Sequence, residues 1–497
     1  MIRVVRLRWL ACEIFEERIK KDLEYVGGDF EQVCLEYKKL IRILPILLVA
    51  ITIVSFLTVR LVVFSEIGVF LVVYFYPLLY SWSKKEEYKK EVNQEALLIS
   101  IIAYINSLID KNVLQTIEEL LNVRGLKVPS VEYQMIKKSK EVLNESSYKA
   151  VERRAILHKD DLLGKIYSKF LIAADLGISI KDRMRESMRE VLQSYREEYR
   201  NYVERSAELS EMIFAVYLLL PIVLVGFQFT FKVNILQLLF PLIFTPAFIF
   251  LISAIQPVGD YQIKASYKYI LPLPALILIT LTPLNLIIKF VAIITILSIP
   301  LLYIYRQILI ANYLLSQLPD ILNQVSDYMK IGYSVIASLT KVRAKKGLGY
   351  KILEDIIRKV SIDNEIPEVN TSSKLFNNVM NTLKILSKSG LTSVGLEELS
   401  DLVNDIIIMR NSMLRQLRLF DVMLFLTPIM LWLTFFMLGN VFSNSKNVES
   451  QDLVVFSYSF AIGLIFSKIS RFVTFYLPAV ITPLVIATIL SAFPHGI

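Results

Sequence analysis

Long apolar runs alternate with charged stretches along this chain. A helix that crosses about 30 Å of hydrocarbon needs about 20 apolar residues, each adding 1.5 Å of rise. The runs that meet or approach this length are 43–64, 67–82, 212–230, 235–255, 270–288, 290–305, 419–440, 453–466 and 472–493. Some contain proline, which membrane helices tolerate because neighbouring helices satisfy the freed carbonyl. The pattern therefore predicts a polytopic membrane protein with about nine transmembrane helices.

Two polar stretches, 83–211 and 306–418, show helical spacing of their apolar residues. The periodic positions are Leu97, Ile101, Tyr104, Ile105 and Leu108 in the first stretch, and Leu318, Leu322, Val325 and Met329 in the second. Recurrence every three or four residues indicates amphipathic helices, and no strand-like alternation stands out. Both stretches are predicted to be helical bundles, so the expected fold class is all-α.

Composition agrees with a membrane protein, and charge predicts its orientation. Hydrophobic residues make up 55% of the 497 positions and charged residues 20%, which is more apolar surface than a soluble protein could bury. The net charge of +9 is explained by basic cytosolic segments rather than by nucleic-acid binding. Short connections predicted on the side of the two bundles carry Lys264, Lys268, Lys468 and Arg471. This bias places the N-terminus and both bundles in the cytosol and the C-terminus outside, in a multi-pass protein of the cell (cytoplasmic) membrane.

The predicted organisation has six segments. They are a cytosolic N-terminal segment (1–42), a membrane hairpin (43–82), a first cytosolic bundle (83–211), four transmembrane helices (212–305), a second cytosolic bundle (306–418) and three transmembrane helices (419–493). Each bundle is followed by membrane spans, and the two bundles lie on the same side because four spans separate them. The arrangement predicts a direct repeat.

A helix–turn–helix signature recurs in both bundles. Glycine adopts the left-handed conformation that ends a helix, and Ser, Thr or Asn two residues later caps the next helix. The turns are Gly177 with Ser179, Gly332 with Ser334, Gly390 with Thr392, and a degenerate version in which Asp110 precedes Asn112. The second turn of each half leads into a long helix and a span with an internal proline, at Pro221 or Pro428. The order bundle, turn, bundle, span therefore occurs twice.

With these turns the chain resembles the type II secretion F-domain family, the membrane platform proteins of type IV pili, type II secretion and the archaeal flagellum (archaellum). The resemblance is carried by Gly332-Tyr333-Ser334, Ser389-Gly390-Leu391-Thr392 and the stretch from Leu318 to Leu339, and it covers residues 90–256 and 315–470. The first copy departs from the family pattern, since Asp110 replaces glycine and Asn112 replaces Ser or Thr. The additional spans and the Ile- and Lys-rich composition are similar to the archaeal branch.

This resemblance implies a non-enzymatic assembly platform for an archaeal type IV pilus-like filament. The implied partners are a cytosolic secretion ATPase, pilin or archaellin subunits, membrane lipids and a second copy of the chain, with no nucleic acid and no cofactor. An archaellum platform is an alternative within the family. A secondary membrane transporter is an alternative of another class, because transporters also contain internal repeats. The sequence leaves open whether the filament is an adhesive pilus, a DNA-exchange pilus, an archaellum or a secretion pseudopilus.

The residues offer no catalytic, cofactor-binding or metal site. HExxH, GxSxG and CxxC motifs are absent, and the only histidines, His158 and His495, are far apart in sequence. Cys12 and Cys34 both precede the first apolar run, in a segment predicted to be cytosolic. We therefore expect neither a disulfide framework nor a metal cluster from them.

Charged residues provide the candidate interaction sites. The basic candidates for docking a partner are Lys341, Arg343, Lys345, Lys346, Arg189 and Arg196. Glu211 and Asp421 lie where long helices reach the membrane, where an acid serves coupling or helix pairing unless it is simply solvated.

Overall fold

The computed structural model describes residues 10–42, 63–121, 123, 125–227, 235–257, 259–264, 274–276, 279, 282–441 and 448–493. These residues form helices joined by turns and short loops, and within them the only strand-like pairing is an isolated bridge between Tyr261 and Ser373. The all-α fold class is thereby confirmed for the described part of the chain. The protein divides into two compact units, Met1–Leu192 and Gln193–Ile497. The six-segment organisation stays a prediction.

The first unit is a helical bundle. Its helices are α1 (Leu10–Ile14), α2 (Glu16–Val26), α3 (30–42), α4 (Val63–Ser107), α5 (Val113–Leu120), α6 (Val128–Val142), α7 (Ser147–Leu157), α8 (Leu162–Leu176) and the beginning of α9 (Ile180–Phe214). Side chains of Asn112, Ser146 and Asp161 accept backbone N–H groups at the starts of α5, α7 and α8. Helix α2 packs on α4, and α7 packs on α8, so the N-terminal helices belong to the bundle.

Cys12 and Cys34 form a disulfide in this unit, so the expectation of no disulfide was wrong. Gly27 ends α2 with a left-handed φ of 77°, and α3 then folds back so that Val33 packs against Ile19 of α2. This return of the chain brings together two cysteines that are 22 residues apart. The spacing of the cysteines in the sequence does not show this, because the pairing depends on how α3 packs.

The second unit contains a polar bundle and a group of apolar helices. Helix α9 continues through a π-helical turn (Ala215–Leu219) into α10 (Leu220–Phe227). There follow α11 (Ile235–Leu238), a 3-10 turn (Phe240–Phe244), α12 (Thr245–Ile255), α13 (Leu286–Lys330), α14 (Val335–Lys341), α15 (Tyr350–Asp363), α16 (Lys374–Ser389), α17 (Ser393–Gln416), α18 (Leu419–Val441), α19 (Val448–Arg471) and α20 (Leu477–Ala492). Helix α13 packs along α17, and α19 contacts α12, α18 and α20.

Within the residues that the structure describes, four helical stretches are long and apolar enough to cross a membrane. They are Ile180–Leu224, Leu286–Lys330, Ser393–Met437 and Gln451–Arg471, and two shorter apolar helices are Phe240–Ile255 and Leu477–Ala492. The most apolar part of Gln451–Arg471 is 78% buried, compared with 11% for Leu286–Lys330. Helix α19 is therefore central among the apolar helices, and the apolar part of α13 is peripheral.

The predicted spans correspond to these helices unevenly. Runs 212–230, 290–305, 419–440 and 453–466 fall within or largely within the four long stretches, and 67–82 lies inside α4. Run 235–255 is divided into α11, the 3-10 turn and α12, because Pro241 and Pro246 lack the N–H that a continuous helix needs. Run 43–64 lies almost entirely outside the described residues, and run 270–288 lies partly outside them.

A π-helical turn precedes Pro221 where α9 becomes α10. Proline removes one hydrogen bond of the helical ladder, and a wider turn accommodates the change without ending the helix. Tyr217 in this turn is buried, and its hydroxyl lies 2.6 Å from Thr245 Oγ1 at the start of α12. The distortion thus places a polar contact between two apolar helices.

Candidate functional site

The basic residues at 341–346 lie at the end of α14 and in the loop that connects it to α15. Its backbone is fixed by side chains of α13: Arg343 N donates to Gln324 Oε1 at 2.9 Å, and Lys345 N donates to Gln317 Oε1 at 3.2 Å. The Tyr313 hydroxyl also donates to the carbonyl of Lys345. Because the backbone is held in this way, the charged side chains project from a defined surface.

Two of the four basic side chains in this loop have partners. Lys345 Nζ lies 2.7 Å from Asp320 Oδ2, and Lys341 Nζ lies 4.5 Å from the centre of the Tyr333 ring. Lys341, Arg343, Lys345 and Lys346 are all exposed. The loop therefore offers a cationic surface that suits an acidic partner.

The two glycines after this loop have a packing role. A Cβ atom at Gly347 would lie 2.3 Å from the Tyr313 ring, and one at Gly349 would lie 2.5 Å from it. Only glycine allows the backbone to pass this closely on both sides of the ring. These glycines therefore hold the loop against α13.

Arg189 and Arg196 are exposed on α9. Arg196 Nη2 lies 3.3 Å from Asp405 Oδ2 of α17, and both side chains are solvent-accessible. Such a pair contributes at most about 1 kcal/mol. Arg196 therefore remains available to a partner, and Arg189 lies in the other unit.

The glycine turns have left-handed backbones followed by capped helices. The φ angles of Gly177, Gly332 and Gly390 are 62°, 98° and 94°. Ser179 Oγ accepts from Asp182 N at 3.4 Å, Ser334 Oγ accepts from Ala337 N at 3.3 Å, and Thr392 Oγ1 accepts from Gly395 N at 3.1 Å. The degenerate turn has the same geometry: φ of Asp110 is 58°, and Asn112 forms a capping box with Gln115.

Asp421 and Glu211 have different environments. Asp421 Oδ2 of α18 accepts from Arg471 Nη2 of α19 at 3.0 Å, and the Arg471 guanidinium lies 5.4 Å from the Tyr476 ring centre. The ion pair between Asp421 and Arg471 thus joins the two apolar helices α18 and α19. Glu211 is exposed on α9.

A buried ionic cluster in the first unit was missed by the sequence reasoning. Arg154 of α7 donates through Nη2 to Glu132 Oε1 at 2.5 Å and through Nε to Glu132 Oε2 at 2.9 Å. His158 lies between two carboxylates, with Nε2 3.1 Å from Glu132 Oε1 and Nδ1 2.6 Å from Asp161 Oδ2. The side chains of Arg154 and Glu132 are only 2% and 1% exposed.

Three tyrosines complete this cluster. Tyr88 donates to Glu132 Oε1 at 2.7 Å, Tyr167 donates to Glu132 Oε2 at 2.9 Å, and Tyr25 donates to Asp161 Oδ2 at 2.5 Å. Every carboxylate oxygen of Glu132 is thus satisfied by Arg154, His158 or a hydroxyl. In the described part of the chain, no group of three or more His, Cys, Asp and Glu residues is placed to hold a metal ion.

The environment of the cluster shifts the pKa of its members. Burial favours the neutral form of Glu132, but Arg154 and His158 overcome this and lower the pKa of its carboxyl. Burial also disfavours the charged form of His158, yet Glu132 and Asp161 raise its pKa overall. Arg154, His158 and Asp161 recur at intervals of four and three on adjoining elements. This spacing was the one sequence signal that could have identified the cluster.

Comparison with known proteins adds no assignment: no protein-family model matches the chain, and no curated protein or solved structure is detectably similar to it.

Proposed function

We propose that this chain is an integral membrane platform protein for assembly of an archaeal type IV pilus-like filament, coupling a cytosolic secretion ATPase to pilin insertion. The observation that supports the proposal best is the order of helices in the two halves. Helices α4 and α13 each have 45 residues and each lead to a left-handed residue, Asp110 or Gly332. A short helix of eight or seven residues follows, α5 or α14.

The correspondence extends through the rest of each half. Helices α8 and α16, of 15 and 16 residues, both end at a left-handed glycine, Gly177 or Gly390. Each is followed by a long helix, α9 or α17, that leads to an apolar helix with Pro221 or Pro428. The first half has two helices, α6 and α7, where the second has α15 alone. This insertion accounts for the longer spacing between turns in the first half, and the common order supports a direct repeat.

The continuity of these helices suits a device that transmits force. Helix α13 runs from an apolar segment into the second bundle without interruption, and α9 continues into α10 through the π-helical turn. In the proposal, the bundles and the N-terminal segment lie in the cytosol, about nine spans cross the cell membrane, and the C-terminus lies outside. ATPase movement displaces the bundles, the long helices carry the displacement to spans that contact pilin, and the working form is a homodimer.

Deletion of the gene tests this function. We expect the deletion strain to lack surface filaments while pilin is still expressed, and reintroduction of the full chain to restore the filaments. Normal filaments in the deletion strain would contradict the proposed function. Which filament disappears decides between an adhesive pilus and the archaellum, because loss of swimming accompanies loss of the latter.

The transporter alternative has its own test. Purified protein in proteoliposomes, without any ATPase, is expected to show no gradient-driven substrate uptake. Uptake under these conditions would favour a secondary transporter over the platform.

A further inference from the structure

The segment 259–264 follows the apolar helix α12 and lies against the second bundle. Its backbone pairs with the residues that precede α16: Gln262 N donates to Ser372 O at 2.8 Å, and Lys374 N donates to Asp260 O at 2.8 Å. Tyr261 and Ser373 form the isolated bridge between these contacts. A connection between apolar helices is thus paired directly with the bundle.

The Asp260 carboxylate caps a helix from another part of the chain. Its Oδ1 accepts from Leu375 N at 2.6 Å, and its Oδ2 accepts from Ser373 Oγ at 2.7 Å. Both donors belong to the start of α16, where a negative charge is favoured by unpaired N–H groups and by the helix dipole. Burial raises the pKa of Asp260, although Arg410 and these hydrogen bonds act in the opposite direction.

Tyr261 connects the same segment to two further helices. Arg410 of α17 donates from Nη2 to the Tyr261 hydroxyl at 2.6 Å and to Asn312 Oδ1 of α13 at 3.1 Å. The Tyr261 hydroxyl donates to Asn312 Oδ1 at 2.9 Å, and the guanidinium lies 5.1 Å from the ring centre. Segment 259–264 therefore contacts α13, α16 and α17 at once.

We propose that segment 259–264 is a latch that makes the second bundle and helix α12 move as one body. A loop joined by one contact would pivot, whereas three helices that hold neighbouring residues of the latch restrict rotation as well as translation. The mechanical link is a property of this chain alone. Its use to drive filament assembly rests on the proposed function.

The first unit has a similar arrangement at the corresponding helix. Asp161 is the N-cap of α8, and the Tyr25 hydroxyl from the end of α2 donates to it. Arg154 donates to the carbonyls of Glu24 and Tyr25 at 3.0 Å each, at the end of α2 where a cation is favoured. In both units a carboxylate at the start of this helix, a tyrosine and an arginine join segments that are distant in sequence. The carboxylate is the helix's own N-cap at α8, whereas at α16 it belongs to the joined segment. The recurrence supports this position as a docking point of each bundle.

Hydrogen exchange of the full chain in lipid nanodiscs tests the latch. In Asp260→Ala, the Leu375 amide at the start of α16 loses its charged acceptor, so we expect exchange of amides 374–378 to rise about tenfold or more. If the latch couples α12 to α16, exchange of residues 252–257 at the end of α12 rises together with exchange at the start of α16. Asp260→Asn keeps one acceptor oxygen, and we expect a smaller rise in both segments.

The control is Asp355→Ala. This residue forms exposed pairs with Arg358 and Lys359 within α15, so its loss is expected to leave both segments unchanged. A rise at the start of α16 without any rise at residues 252–257 would show that Asp260 only caps α16, and the latch would be rejected. No rise in either segment would also reject it.

A covalent replacement separates the mechanical role from the capping role. In the Asp260→Ala background, Tyr261→Cys and Ser373→Cys place two thiols at the bridged positions. Oxidation is expected to restore slow exchange at residues 252–257, and reduction is expected to abolish the rescue. Wild-type protein treated with the same reductant controls for loss of the Cys12–Cys34 bond. Failure of the cross-link to slow exchange at 252–257 would overturn the latch.

Filament assays distinguish failure of the latch from failure of the proposed function. If Asp260→Ala uncouples the segments but filaments stay normal, the latch does not carry the assembly force, while the platform function survives. If the deletion strain itself has normal filaments, the platform function fails and the exchange measurements still decide the mechanical link. Loss of filaments in Asp260→Ala, with rescue by the oxidised cross-link, is the expected result.

Discussion

At the scale of single residues, neighbouring arginines in α7 have opposite environments. Arg153 is exposed and lies 3.1 Å from Glu24, whereas Arg154 is 2% exposed and holds Glu132 in the interior. An exposed pair gains little because water and salt screen it. Removal of one partner from a buried pair leaves an uncompensated charge. The chain therefore offers a matched comparison one residue apart.

Arg154→Met is expected to destabilise the first unit by about 3–5 kcal/mol, because Glu132 loses its main partner while remaining buried. Arg153→Met is expected to cost at most about 1 kcal/mol. Hydrogen-exchange protection of α7 and α8 measures both. Equal effects of the two substitutions would contradict the view that the buried cluster stabilises the unit.

The same cluster predicts a pH dependence. The raised pKa of His158 contributes stability that is fully present below its ordinary value of 6.5 and is lost as the pH rises through the folded-state value. The lowered pKa of Glu132 contributes stability that is present above 4.5 and is lost as the pH falls. We therefore expect the first unit to be most stable between these values and to weaken above pH 6.5.

For one titrating group, the free energy of unfolding changes by at most about 1.4 kcal/mol per pH unit. Protection factors of α7 and α8, corrected for intrinsic exchange, measure the profile. His158→Gln is expected to flatten the alkaline side of this pH profile. Arg153→Met is expected to leave the shape of the profile unchanged. A profile that stays the same in His158→Gln would rule out this assignment.

At the scale of helices, the turns are determined locally. Nothing lies within 4 Å of a Cβ atom built at Gly390, so its left-handed φ of 94° is the reason for glycine there, not lack of space. Helix α17 then begins at Ser393, and the hydroxyl of its N-cap residue Thr392 caps the first turn. Backbone conformation and capping therefore both act within three residues of this glycine.

Gly390→Ala is expected to destabilise the α16–α17 turn by about 1–2 kcal/mol, because a Cβ atom disfavours the left-handed region. Gly390→Asn is the matched control and should cost less, since asparagine adopts this conformation more readily. Local exchange at the end of α16 reports the difference. A larger loss for asparagine than for alanine would show that steric packing, and not φ, decides this position.

At the scale of the whole molecule, one loop presents its charges to solvent, whereas one ion pair connects two apolar helices. The basic loop at 341–346 is anchored by Gln317 and Gln324 and projects its cations outward. Arg471 instead connects α19 to Asp421 of α18. The first arrangement suits a partner outside the chain, and the second holds the chain together.

If the proposed platform function holds, reversal of charge at Lys341, Arg343, Lys345 and Lys346 is expected to reduce co-purification of the proposed ATPase partner at least about tenfold, because the reversed side chains repel an acidic surface. The control makes an equal change of charge at four exposed lysines of the first unit: Lys137, Lys138, Lys140 and Lys149. We expect that control to retain the ATPase. Unchanged co-purification after reversal at the loop would remove this loop from the docking surface.

Sequence alone determined the features that depend on neighbours along the chain. Apolar periodicity predicted the helices, and the pairs Gly332–Ser334 and Gly390–Thr392 predicted where helices end and begin, because a left-handed residue and a cap act within one turn. Apolar runs also indicated the helices that are able to cross a membrane. Where proline interrupts such a run, as at Pro241, length and hydropathy alone did not show that the helix breaks.

Tertiary structure alone decided which distant polar groups meet. Tyr25 and Asp161 are 136 residues apart, and Arg410 and Tyr261 are 149 residues apart, yet a hydrogen bond joins each pair in the folded chain. His158 looked isolated in the sequence because its partner Glu132 lies on another helix. A buried charge requires a partner, but one chain's pattern does not say which segment supplies it. Periodicity is a property of a single helix, whereas pairing is a property of how helices pack.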